Sequence, residues 1–154
     1  MEPNLPTPDH VSLEAVRRRR AELRESMNAL EEALAAPAPG RPIAWAERVH
    51  IALVELCADF REHIDVTEGP HGLYRGLLTT APRLSNAAAR LTREHAQIRD
   101  LVEDLLAQVS RPDVHDADGI RDLGTALLGK LVRHRQRGSD LVYEAYEADI
   151  GGET

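Results

Sequence analysis

The chain has 154 residues, room for one hydrophobic core rather than two, and a formal net charge of −7 that argues against nucleic acid or an anionic membrane as a principal partner. Aromatic residues are scarce (Trp45, Phe60, Tyr74, Tyr143 and Tyr146), while Ala, Leu, Arg and Glu abound, a balance that favours helices over strands. A single cysteine, Cys57, excludes a disulfide framework and a thiolate zinc site; with no leader pattern and no run of about 18 apolar residues, the sequence predicts a soluble, cytoplasmic protein.

Residues 1–9, MEPNLPTPD, read as a loose Pro-rich arm, with Asp9 or Ser12 available to cap a first helix over residues 11–36. Its stripe is Leu13, Val16, Arg20, Leu23, Met27, Leu30 and Leu34, at spacings alternating between three and four. APAPGRP breaks it, because Pro and Gly cannot continue a helix cheaply. A second helix over residues 43–68 carries Trp45, Val49, Ala52, Leu56, Phe60, His63 and Thr67, and GPHG stops it. Residues 73–80, LYRGLLTT, fit either a short helix or an ordered loop. Pro82 suits the first turn of a third helix over residues 82–109, with stripe Leu84, Ala88, Leu91, His95, Ile98, Val102 and Leu105. After a turn at SRPDVHDADG, a fourth helix over residues 120–149 carries Ile120, Leu123, Leu127, Leu131, His134, Gly138, Leu141 and Ala145. No strand pattern and no repeat appears. Four amphipathic helices of similar length predict an all-α, antiparallel, up-and-down four-helix bundle over residues 10–150, with residues 151–154 fraying.

Each stripe is interrupted once by a long polar side chain: Arg20, His63, His95 and His134. Counted from the end where the first turn and the last turn lie, these stand about 16, 20, 15 and 16 residues in, which at about 1.5 Å per residue is one level to within about 8 Å. Three histidines from three helices therefore converge in one core layer. Rigid helices can aim imidazoles at a common point, and an imidazole and carboxylate set without thiolate suits iron, manganese or zinc. Glu68 follows His63 by five residues, Glu94 adjoins His95, and Asp140 and Glu144 lie beyond His134. A lone histidine on an apolar stripe more often satisfies itself with one hydrogen bond; three at one height point to a shared site. His10, His71 and His115 fall in loops or the terminus, His50 flanks its stripe, and Cys57 reads as an inert, partly buried thiol.

The stretches FREHIDVTEG, APRLSNAAARLTREHAQI and LVRHRQRGSDLVYEAYEADIGG resemble the hemerythrin-like, or HHE cation-binding, family. That resemblance implies an up-and-down four-helix bundle holding a non-haem iron centre, mono- or di-iron, that binds or senses oxygen, iron or nitric oxide. Carried over position by position, His63, His95 and His134 match the family's histidines, and Glu68 is the nearest match to its carboxylate on the second helix. The sequence departs from the pattern at three places. Arg20 stands where the first helix would carry a histidine, and Thr67 and Gly138 stand four residues after His63 and His134 where carboxylates are usual. Asp140, six after His134, points about 120° away on an ideal helix.

Three readings follow. In the first, His63, His95, His134 and Glu68 bind a metal ion in the bundle core, iron ahead of zinc or manganese, with an open position for a small diatomic ligand. In the second, the bundle is metal-free: Arg20 pairs with Glu68 or Glu94, and the protein is an interaction or regulatory module. The third is a metal-free enzyme with a histidine as general base, but no nucleophile–base constellation supports it. No nucleic acid or membrane partner is expected, and no protein partner is identified by the sequence.

Overall fold

A computed structural model describes residues 13–111 and 116–148, and every regular element among them is helical. The long helices are α1 (Leu13–Ala35), α2 (Pro42–Glu68), α4 (Ser85–Val109) and α5 (Ala117–Val142), with a short α3 (Leu73–Thr80) between the second and third of them. The expected N-terminal arm, the caps at Asp9 and Ser12, His10, His115 and the final residues lie outside the described residues. Among the described residues no helix is long and apolar enough to cross a membrane.

Helix boundaries follow local chemistry. Pro42 opens α2, where its missing N–H costs nothing. Pro70 stops the helix two residues after Glu68, and the Gly69 N–H closes the last turn on the Asp65 carbonyl at 3.2 Å. Residues 73–80, left open by the sequence, form a full helix. Pro82 opens a single 3-10 turn, Pro82–Leu84, ahead of α4. Helix α5 starts three residues earlier than the periodicity predicted, because Asp116 caps it by accepting from the Gly119 N–H at 3.0 Å. A π-helical turn, Tyr143–Ala148, ends it.

The long helices pack in a ring, α1 on α2, α2 on α4, α4 on α5 and α5 on α1, as an up-and-down four-helix bundle. Arg121 of α5 donates to the Leu34 and Ala36 carbonyls, both at 2.9 Å, and so satisfies orphan groups at the C-terminus of α1. Most of the predicted stripe positions are buried; Leu13 and Arg20 on α1, Leu123 and Gly138 on α5, and Ala145 beyond it are half-buried. On α5 the close contact falls at Gly124 rather than Leu123, which is half-buried; a Cβ at Gly124 would stand 2.5 Å from Leu34 Cδ1.

The apolar interior is divided. One cluster, including Leu23, Leu30, Trp45, Leu53, Phe60, Ile98, Leu105 and Leu131, fills the end near the α1–α2 turn. The other, including Val16, Val66, Leu73, Tyr74, Leu77, Leu91 and Leu141, is closed by α3. Along each long helix the polar interruption sits where one cluster gives way to the other: Arg20 between Leu23 and Val16, His63 between Phe60 and Val66, His95 between Ile98 and Leu91, and His134 between Leu131 and Leu141.

Candidate metal centre

His63, His95 and His134 are buried, each 5% exposed or less. Their ring centroids lie 5.1 Å apart for His63 and His95, 5.4 Å for His63 and His134, and 4.7 Å for His95 and His134. One nitrogen from each falls in a group whose members all lie within 4.8 Å of one another. The Phe60 ring packs against all three from one side, and Tyr74 stacks on His95 at 6.1 Å and 12°.

Hydrogen bonds fix the tautomers. His134 Nδ1–H donates to Glu94 Oε1 at 2.9 Å, and His95 Nδ1–H donates to Glu68 Oε2 at 2.7 Å. Both rings therefore keep bare Nε2 lone pairs, and His95 Nε2 is buried without a partner. His134 Nε2 accepts from His63 Nε2–H at 3.3 Å, which leaves His63 Nδ1 buried and unpartnered. Arg137 Nη1 donates to the second oxygen of Glu94 at 2.6 Å, which anchors that carboxylate from the solvent side.

All three imidazoles are held neutral. Burial pushes His63 down to about 3, helped by His134, Arg20 and Arg135. Burial pushes His95 down to about 2, helped by the other two histidines and Arg99. His134 is also lowered by burial, against the pull of Glu94, which favours its charged form. Burial raises Glu68, partly offset by Arg99. Neutral imidazole is the form that binds metal.

The donor set fits one cation. Metal-bound imidazoles usually give their other N–H to a carboxylate, as His95 and His134 do here. Two nitrogens bound to one ion at about 2.0–2.1 Å in tetrahedral geometry stand roughly 3.4 Å apart; the His63 and His134 Nε2 atoms stand 3.3 Å apart, while the three-nitrogen group spreads over up to 4.8 Å, so the rings would draw inward on a shared ion. Lone pairs left unpartnered in the core cost free energy, and a cation among them would remove that cost. The set fits two cations poorly. Both nearby carboxylates are engaged on the outer nitrogens of their histidines, and Glu68 is absent from the group of converging donor atoms.

Arg20 departs from expectation. It approaches neither Glu68 nor Glu94; its Nη2 donates to the Arg135 carbonyl at 3.3 Å, and the residue is half-buried. Glu94 has taken Arg137 instead. Arg20 also helps to line a small cavity of about 20 Å³ with His63, Thr67, Tyr74, His134 and Gly138. That volume holds one water-sized guest. Thr67 turns its hydroxyl back on its own helix, donating to the His63 and Ile64 carbonyls at 2.7 and 3.2 Å.

Asp140 and Glu144 are exposed and stand outside the cluster, Asp140 accepting from Gln136 at 3.0 Å. His50 is half-buried and does not join it, His71 is exposed, and Cys57 is a half-buried free thiol against the core. The sequence reading gave Glu94 and Tyr74 too little weight. Glu94 could have been found from its spacing, three after Leu91 and four before Ile98, which puts it on the buried side of α4. Tyr74 carried no signal while its segment was undecided.

No curated protein and no solved structure matches the chain. The model of the hemerythrin HHE cation binding domain matches residues 11–146, nearly the whole length, and the family is one of cation binders. With a four-helix bundle and three inward histidines from three helices beneath that match, the chain belongs to the hemerythrin HHE cation-binding domain family.

Proposed function

We propose that the protein binds one non-haem metal ion, iron(II) ahead of zinc or manganese, through His63, His95 and His134, and that it serves to bind or sense a small diatomic molecule or iron itself. The observation that carries this reading is the convergence of three buried imidazoles, two of which, His95 and His134, give their Nδ1 protons to carboxylates and turn Nε2 toward the cluster. Bound there, iron would supply redox chemistry and coordination positions for a small ligand, whereas zinc would supply Lewis acidity alone.

The chain's own residues prepare the site. Glu68 and Glu94 hold the Nδ1 protons of His95 and His134, fix the ring planes and make the Nε2 lone pairs better donors. Glu68 thus acts through His95 rather than as a direct ligand. Phe60 and Tyr74 exclude water from the rings. The small cavity beside His63 and His134 has room for a guest of water size next to the rings.

A second reading, a metal-free interaction or regulatory bundle, is favoured by Arg20, whose positive charge lies near His63 and opposes a cation. Anaerobic titration with iron(II), and separately with zinc, decides between them. Saturation at one ion per chain, lost in His95→Ala, is expected. Saturation at two ions would replace the one-ion site by a dinuclear one. Absence of saturable binding would leave the metal-free bundle standing.

A further inference from the structure

The basic run RRRR at residues 17–20 is only partly consumed by ion pairing. Arg18 is exposed, and Arg19 pairs with Glu22 at 2.9 Å and Glu62 at 3.5 Å. Arg17, Arg20 and Arg24, spaced by three and four, share another face of α1. With Arg135 of α5 they line an open groove of about 520 Å³, whose other polar lining is Glu25 and Asn28. Four guanidinium groups thus face one carboxylate in a chain of net charge −7. Among the described residues none of the four forms an ion pair with an acidic side chain. Arg135 Nε is moreover buried and has no hydrogen-bond partner. Like charges held together beside an unused buried donor cost free energy, which a bound counter-charge would offset.

We propose that this groove between α1 and α5 is a binding site for a small, multiply charged oxyanion, either inorganic phosphate or the phosphoryl group of a small phosphomonoester. Planar guanidinium forks match phosphate oxygens, and two helices present them from two sides. No aromatic ring lines the groove on which a nucleobase could stack. The overall negative charge of the chain argues against a long polyanion and leaves a local site for a compact one. The site requires no metal, so it stands or falls apart from the proposed cation site.

The test is calorimetric titration of the full chain with sodium phosphate, and in parallel with glycerol phosphate, at fixed ionic strength so that general screening cannot mimic binding. Both titrations are run with and without a chelator. Saturable binding that survives the chelator is expected. Tighter binding of glycerol phosphate would assign the groove to esters, and tighter binding of phosphate to the free ion. Arg24→Gln and Arg135→Gln should each weaken binding by roughly tenfold or more, the effect of losing one charged hydrogen bond, while Arg18→Gln from the same run should leave it unchanged. Arg24 is exposed, so its variant keeps the test sound if Arg135→Gln fails to fold. Absence of saturation by about 10 mM would overturn the proposal. So would binding abolished by the chelator, or equal weakening in Arg18→Gln.

Discussion

At the residue scale, Arg20 shows what spacing can and cannot tell. Its position on the α1 stripe fixes its height, and the structure keeps it at the histidine layer. Spacing does not fix which neighbour a long, jointed side chain reaches. The expected pairing with Glu68 or Glu94 gives way to the Arg135 carbonyl, because Glu94 is already held by Arg137 and His134, and Glu68 by His95. Replacing Arg20 with His would remove a positive charge near His63 and offer a fourth imidazole from α1. Affinity for zinc or iron(II), measured by competition with a chelating dye, is expected to rise by roughly tenfold or more. An unchanged affinity would show that the Arg20 charge does not oppose the cation. The histidines themselves were legible, because a period of three and four residues repeated on separate helices leaves a buried polar residue little freedom. Glu94 was harder, since a carboxylate one position from a stripe reads as solvated until its partner on another helix is known.

At the element scale, the four long helices were legible from stripes and breakers, while their ends moved by a few residues under capping that the periodicity does not contain. Helix α3 was the undecided segment. Its eight residues are too few for a periodic signal, and it exists because Leu73, Tyr74 and Leu77 close one end of the bundle. Leu77 is fully buried. Leu77→Ala is expected to destabilise the fold by about 2–5 kcal/mol, the usual range for a large-to-small change in a packed core. Urea unfolding followed by circular dichroism measures it, and a loss under about 1 kcal/mol would mean that α3 rests on the bundle without supporting it. The shift from Leu123 to Gly124 on α5 has a similar cause: the Leu34 side chain of α1 packs over Gly124 and would have to shift to admit a Cβ there.

At the scale of the whole molecule, the neutral histidines tie stability to pH. His63 and His95 have folded-state values of about 3 and about 2, below the ordinary 6.5 of the unfolded chain. Between those limits the unfolded state binds more protons, so stability rises with pH through that window. For the metal-free protein, the full contribution is expected above about pH 6.5, with progressive loss as the pH falls toward 3. Unfolding midpoints in urea at a series of pH values test this. A midpoint that holds constant from pH 7 to pH 4 would mean that the histidines charge without unfolding the chain, and that the layer is wetter than the geometry indicates.

The placement of that polar layer between two apolar clusters has a further consequence for cooperativity. Oil-like contact is continuous within each half of the bundle, but across the middle it is interrupted at the same level on every long helix. The half closed by α3 can therefore loosen while the other stays packed, and amide protons there should exchange with solvent through openings smaller than global unfolding. Whatever ties the three imidazoles together would also tie the two halves into one melting unit, since His63, His95 and His134 belong to three helices that each run through both clusters.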